Sequence, residues 1–167
     1  MLRGLGWDLR GQWPDEPKLI VAVAPHSSNM DFILAVAVFW GLNLRTSYLA
    51  KRSLFWFPLG PFLRWLGGIP VDRKAPGGMV TTLVQAFRDS PQLVVGITPS
   101  GTRQSGNEWK SGFARIAEQA LVPVLPAIIN YAERIIYLQP MIPPDRSAAD
   151  IVAATRAAAS IGAPRYS

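Results

Sequence analysis

Residues 19–31 read Leu-Ile-Val-Ala-Val-Ala-Pro-His-Ser-Ser-Asn-Met-Asp, a short apolar run followed by a polar bend. The run over 19–24 is almost continuous and rich in β-branched residues, which is typical of a strand buried on both faces of a parallel sheet. Pro25 disfavours helical geometry at the residue before it, and each of residues 27–29 can cap a following helix. The stretch therefore predicts a strand, a tight bend and a helix, with the only histidine of the chain, His26, on the bend.

His26 and Asp31 form a candidate acid–base pair. If His26 lies in the bend and Asp31 in the first helical turn, the carboxylate can reach imidazole Nδ1 and leave Nε2 free as a base. The alternative is that His26 is an ordinary loop residue and that Asp31 is a favourable charge at a helix N-terminus.

The rest of the chain alternates between strand-like and helix-like segments, which predicts an α/β fold: a single-domain, mostly parallel sheet flanked by helices. Residues 1–18 lack periodicity and predict an irregular N-terminal arm that packs over the domain at 19–167. Strands are predicted at 19–24, 46–50, 69–71, 93–98, 123–129 and 134–138, and helices at 30–42, 75–90, 113–121 and 147–160. The strands at 19–24 and 93–98 would deliver their carboxyl ends to one crevice, where open α/β sheets bind ligands.

Composition limits the classes of partner. The 167 residues carry 17 Lys and Arg against 11 Asp and Glu, a net charge of +6. This favours an anionic partner: nucleic acid, anionic lipid or a phosphate-bearing substrate. No basic stripe with regularly interleaved aromatics supports nucleic acid. The absence of cysteine excludes a disulfide framework, a Cys-ligated metal and a Cys nucleophile, and we expect no metal site.

Residues 53–66 have the most unusual composition, with aromatic residues and leucines crowded between Arg52 and Arg64. One interpretation is that these side chains are core residues. The other is a surface that sinks into the headgroup region of a membrane, or the lining of an acyl-chain tunnel. The residues predicted to make membrane or acyl-chain contact are Phe55, Trp56, Phe57, Phe62 and Trp65. No apolar run reaches the roughly 18 residues of a membrane-spanning helix, and the first residues do not resemble a signal peptide.

Four segments together resemble the motifs of a known family, the glycerolipid acyltransferases that act on 1-acylglycerol-3-phosphate or glycerol 3-phosphate. The spacing His26-x4-Asp31 resembles the first motif. Gly-Gly-Ile-Pro-Val-Asp-Arg at 67–73 is similar to the second, Pro-Ser-Gly-Thr-Arg at 99–103 to the third, and Val-Pro-Val-Leu-Pro at 122–126 to the fourth. The four occur in the family's order, which is far more specific than any one of them.

The resemblance implies a glycerolipid acyltransferase-like fold and an O-acyltransferase. The acyl donor would be a thioester, acyl-CoA or acyl carrier protein, used as a co-substrate without a cofactor, and the acceptor a lysophospholipid or glycerol phosphate. His26 would be the general base and Asp31 its partner. Residues implied or expected to bind the acceptor and its phosphate are Arg73, Ser100, Gly101, Thr102, Arg103, Lys51 and Lys110. A serine hydrolase is the competing chemistry, but the chain has no Gly-x-Ser-x-Gly sequence.

Two departures from the family pattern affect what is expected. Ser100 stands where family members usually have glutamate, so the acceptor is expected to differ from the usual lysophosphatidate, and a catalytically weakened lipid- or membrane-binding protein is the alternative function. The chain also shows no extended N-terminal membrane-helix region like that of many family members. We therefore expect membrane contact at residues 55–66, with the protein cytoplasmic and peripheral on the inner face of the cell membrane.

Overall fold

Seven strands form a single sheet in the computed structural model, which describes residues 6–24, 46–65, 67–72, 78–99 and 111–162. Their order across the sheet is β1-β7-β6-β2-β5-β3-β4, and every neighbouring pair is parallel except β6 and β7. The predicted mostly parallel α/β sheet is therefore confirmed. The strands are β1 (Asp8–Arg10), β2 (Lys18–Ala24), β3 (Thr46–Lys51), β4 (Gly68–Val71), β5 (Leu93–Ile97), β6 (Val124–Asn130) and β7 (Ile135–Leu138).

Four α-helices lie within the described ranges, with a short 3-10 helix at Arg52–Leu54. They are α1 (Leu59–Trp65), α2 (Gly78–Asp89), α3 (Gly112–Ala120) and α4 (Ala148–Gly162). Apart from β1 and α1, which the sequence analysis did not predict, the described helices and strands agree with the predictions to within a few residues. The helix predicted at 30–42 lies outside the described residues.

The central strand β2 is buried on both faces, as its apolar run predicts. Ile20 and Ala22 pack into the core beneath α2, α3 and α4, where Phe87 and Phe113 are each 1% exposed. Leu19, Val21 and Val23 point to the opposite face, because side chains alternate along a strand. Burial on both faces fixes the register of this strand and the position of the bend that follows it.

The N-terminal segment is more ordered than its sequence predicts. The expectation of an irregular arm is wrong for Asp8–Arg10, which form β1 and pair in parallel with β7. The sequence Asp-Leu-Arg does not itself predict a strand. These residues become extended because they pair with the free edge of β7. Trp7 and Trp13 pack against the second face of the sheet and hold this segment against it.

The strand β4 forms one outer edge of the sheet, paired only with β3 among the described strands. It contains Pro70, which has no N–H for a central ladder and is tolerated at an edge. The predicted edge position of this short strand is thus confirmed.

Candidate active site

Four neighbouring parallel strands end together at one edge of the sheet. In the order β2, β5, β3, β4, the registers pair Ala22 with Ile97, Gly96 with Tyr48, and Lys51 with Val71. Counting along these registers places Ala24, Pro99, Lys51 and Val71 at the same level. Neighbouring strands are about 4.8 Å apart, so β4 lies roughly 14 Å from β2 along this edge.

Each of these four chain ends leads directly into a predicted site segment. His26 is the second residue after β2, Arg73 is the second after β4, and Lys51 is the last residue of β3. Residues 100–103 begin three positions after the end of β5. The carboxyl ends of β2 and β5 meet at one edge, as the sequence analysis predicted, because the two strands are neighbours. The ends of β3 and β4 lie at the same edge, which the sequence analysis did not predict.

Most of the predicted site residues lie outside the part of the chain that the structure describes. His26, Asp31, Arg73, Ser100, Gly101, Thr102, Arg103 and Lys110 lie outside the described residues, and Lys51 is described only as backbone of β3. Their roles remain predictions.

On the other side of β2, the next strand at this edge is β6. A polar network lies at the end of β6. The buried Asn130 accepts a hydrogen bond from the Glu133 backbone N–H (3.0 Å) and donates its side-chain amide to the Glu133 carboxylate (3.1 Å). The Tyr137 hydroxyl donates to the same carboxylate (2.7 Å), and this hydrogen bond raises the pKa of Tyr137 above its ordinary value. These groups satisfy one another across the β6–β7 turn, so their role here is to fix that turn.

The aromatic segment that follows β3 is exposed. Leu54 is 46%, Trp56 61%, Phe57 83%, Phe62 54% and Trp65 77% exposed. We call these five side chains the aromatic surface. Four of them were predicted to make membrane or acyl-chain contact. Leu54 was not singled out, although its position beside Arg52 and Phe55 in the same composition-biased segment is a signal that could have found it.

Phe55 differs from its neighbours, because its ring is half-buried and packs near a cation. The Arg64 guanidinium carbon lies 5.9 Å from the centre of the Phe55 ring. The α1 turn is tight here: the Gly60 N–H donates to the Trp56 carbonyl at 2.6 Å, and a Cβ at Gly60 would stand 2.5 Å from the Phe55 carbonyl oxygen. The Phe55 backbone therefore lies close against the start of α1, within the segment that carries the exposed rings.

A match to a sequence family shows which family the chain belongs to. A family model described as Acyltransferase matches residues 12–130, which is more than half of the sequence. The chain belongs to the acyltransferase family. The match extends from the N-terminal segment through β6, and it covers every predicted catalytic and acceptor-binding residue.

Two of the curated relatives show what this chain is similar to. A 1-acyl-sn-glycerol-3-phosphate acyltransferase of Bacillus subtilis is 35% identical over 113 residues, 64% of this chain and 53% of that protein. The human 1-acyl-sn-glycerol-3-phosphate acyltransferase alpha is 28% identical over 138 residues, 77% of this chain and 47% of that protein. This acyltransferase-family chain thus spans about half the length of the curated relatives it matches.

A solved structure has the same fold. The 1-acyl-sn-glycerophosphate (LPA) acyltransferase PlsC of Thermotoga maritima superposes with a TM-score of 0.67 at 19% identity. The superposition covers 99% of this chain and 76% of that one. At this identity the likeness establishes the fold of the acyltransferase-family chain.

Two absences concern the described residues, 6–24, 46–65, 67–72, 78–99 and 111–162. No helix in these ranges is long and apolar enough to cross a bilayer. Within the same ranges, no three His, Asp or Glu side chains are grouped as metal ligands would be.

Proposed function

We propose that this protein is an O-acyltransferase that moves a fatty acyl group from acyl-CoA or acyl carrier protein to the hydroxyl of a lysophospholipid-type acceptor, 1-acylglycerol-3-phosphate or a related lipid. The observation that carries the proposal is the shared edge of β2, β5, β3 and β4. Each of these strands feeds a segment that resembles a family motif or carries a predicted cation. The names of the curated relatives support the same reaction.

Chain connectivity supports a common site. Two residues of chain span at most about 7 Å, so His26 cannot be far from the end of β2, nor Arg73 from the end of β4. The end of β5, which leads to residues 100–103, is the immediate neighbour of the end of β2. We therefore propose that the third motif acts closest to the base and that Arg73 contributes from the outer strand β4.

The proposed reaction needs one base and no covalent acyl-enzyme. His26 Nε2 takes the proton of the acceptor hydroxyl as the oxygen attacks the thioester carbonyl and a C–O bond forms. The tetrahedral intermediate collapses with cleavage of the C–S bond, and the departing thiolate takes the proton back from the imidazolium. Asp31 orients the ring and stabilises its charged form.

The acceptor phosphate would be held by cations and backbone from three strand ends. Arginine guanidinium groups match phosphate oxygens bidentately, which suits Arg73 and Arg103. Gly101 and Thr102 lie beside Arg103 in the third motif, and Lys51 ends β3 between the two arginine-bearing segments. The proposed setting is the inner face of the cell membrane.

The first test measures release of free thiol from long-chain acyl-CoA, and from acyl carrier protein thioesters, with lysophosphatidate, glycerol 3-phosphate or uncharged lysolipids as acceptors. We expect release that depends on an acceptor and is lost in His26→Ala. The control Asp145→Asn, an exposed acid before α4, should keep full activity. Retained transfer by His26→Ala would show that His26 is not the base.

The role of Arg103 is tested in the same assay. Arg103→Ala should raise the KM for a phosphate-bearing acceptor by roughly 10- to 100-fold, the effect of one lost charge-assisted contact. Arg115→Ala, an exposed arginine on α3, is the matched control. An unchanged dependence on the phosphate-bearing acceptor would remove Arg103 from its proposed role.

A second candidate function rests on Ser100, which replaces the family's usual glutamate in the third motif. In this alternative the protein binds lipid or membrane and has weak or no turnover. The absence of thiol release with every donor and acceptor, together with retained binding to vesicles, would favour it.

A further inference from the structure

We propose that the aromatic surface docks this protein onto an anionic lipid bilayer. This docking rests on the proposed function for its purpose, because the proposed acceptor is a membrane lipid. The docking itself does not depend on acyl transfer. The observation behind it is the grouping of exposed apolar side chains. Five of the nine large hydrophobic residues found exposed within the described ranges lie between Leu54 and Trp65.

The exposed rings are part of a folded element. Phe62 and Trp65 stack on α1 with ring centres 6.2 Å apart, and α1 packs against β4. The tight turn at Gly60 fixes how α1 leaves the preceding segment. Since these contacts hold the backbone while Trp56, Phe57 and Trp65 remain more than half exposed, the side chains form an outer surface, and their exposure argues against an enclosed acyl tunnel.

The positive charges beside this surface favour an anionic partner. Residues 51–71 contain Lys51, Arg52 and Arg64 and no Asp or Glu. Arg52 and Arg64 are exposed beside the rings. Trp, Phe and Leu flanked by Lys or Arg are the side chains that enter the headgroup boundary of a bilayer, where rings meet acyl carbons and cations meet lipid phosphates. A neutral protein partner would leave these cations without a matching charge.

The position of the surface explains what docking would achieve. The 3-10 helix at Arg52–Leu54 follows β3 without a break, so the aromatic surface begins at the edge from which the proposed site residues emerge. A bilayer bound there would bring headgroups to the same edge. The acceptor could then reach the site without leaving the membrane completely.

The test is co-sedimentation with vesicles of phosphatidylcholine alone or mixed with phosphatidylglycerol, without thioester. We expect binding to the mixed vesicles that weakens with added salt, since exposed charges are screened. Trp56→Ala combined with Trp65→Ala should weaken binding at least about tenfold, because two large apolar groups lose their burial. The matched control combines Leu121→Ala with Ile161→Ala, which removes two apolar side chains elsewhere that are 72% and 79% exposed.

The cations are tested in the same way. Arg52→Gln with Arg64→Gln should weaken binding to anionic vesicles roughly tenfold or more, and Arg88→Gln with Arg115→Gln, exposed on α2 and α3, should change it much less. Far-ultraviolet circular dichroism and thermal unfolding check that each variant is folded. His26→Ala should bind vesicles as the parent chain does, which separates failure of docking from failure of the proposed chemistry.

Three results would overturn the proposal. The first is the absence of binding to mixed vesicles, and the second is an equal loss in the control and tryptophan variants. The third is a dimer in lipid-free solution that the tryptophan substitutions convert to monomer without affecting vesicle binding. That result would make the aromatic surface an interface between copies of the chain.

Discussion

At the scale of single residues, Ser100 is the position where this chain departs most informatively from its family. It lies in the segment that follows β5, the strand beside β2. The family's glutamate would carry a negative charge into the third motif, next to Arg103. Serine has no charge, so we expect the electrostatic partner of Arg103, and with it the preferred acceptor, to differ.

Ser100→Glu restores the residue that the family resemblance implies holds the phosphate-binding arginines, so we expect it to shift acceptor preference toward lysophosphatidate. We expect the ratio of kcat/KM for lysophosphatidate over an uncharged lysolipid to rise by about tenfold, the factor that corresponds to 1.4 kcal/mol. Ser100→Gln is the matched control, since it adds the length of glutamate without the charge. An equal shift in both variants would assign the effect to side-chain size and not to charge.

At the scale of elements, the C-terminal helix shows how a local sequence signal fixes a boundary. Ser147 and Asp150 predict a capping box, and α4 begins at Ala148 as expected. The Asp150 backbone N–H donates to Ser147 Oγ at 3.2 Å, and this hydroxyl donates to the Asp150 carboxylate at 2.7 Å. The pair satisfies an orphan amide of the first turn.

Ser147→Ala should lower the free energy of unfolding by about 1 kcal/mol, the typical value of a lost N-cap. For a chain of this size that is a fall of roughly 2–4 °C in Tm. The control Ser160→Ala removes a hydroxyl near the other end of the same helix, where it donates to the Arg156 carbonyl. If both variants melt at the same temperature, the cap contributes nothing specific.

The elements also show which parts of the fold could be predicted from the sequence and which could not. The apolar run of β2 and the stripe of α2 carry their own burial signal, so their positions could be predicted. The strand β1 could not, because its three residues pair only when β7 offers an edge. The exposure of the aromatic surface could not be predicted either, since Trp and Phe in sequence are equally compatible with a core.

At the scale of the whole molecule, the strand order is what the sequence leaves open. β2 pairs with β5 and with β6, which lie some 75 and 100 residues further along the chain. Such non-local pairing depends on packing of the completed sheet and not on any local pattern. The motifs predicted which residues belong to the site, and the fold explains how four distant segments leave from one edge. The side-chain geometry of His26 and Asp31 stays a prediction.

Stability of this arrangement depends on the core shared by α2, α3 and the sheet. Phe87→Ala removes a ring that is 1% exposed and should cost about 3–5 kcal/mol. We expect a fall of roughly 10 °C in Tm with cooperative unfolding retained. Gln85→Ala, on the exposed face of the same helix, should stay within about 0.5 kcal/mol of the parent chain. Similar melting of the two variants would contradict the assignment of Phe87 to the main core.

The outer strands have a consequence for behaviour in concentrated solution. Among the described strands, β1 and β4 have one neighbour each; β1 has three residues, and β4 has four, one of them proline. One border of three residues and one of four residues that includes a proline offer few amide and carbonyl groups to which a second molecule could add a strand. For a chain with 49% hydrophobic residues, we therefore expect these borders to take up a strand from a second molecule less readily than long, regular edge strands would.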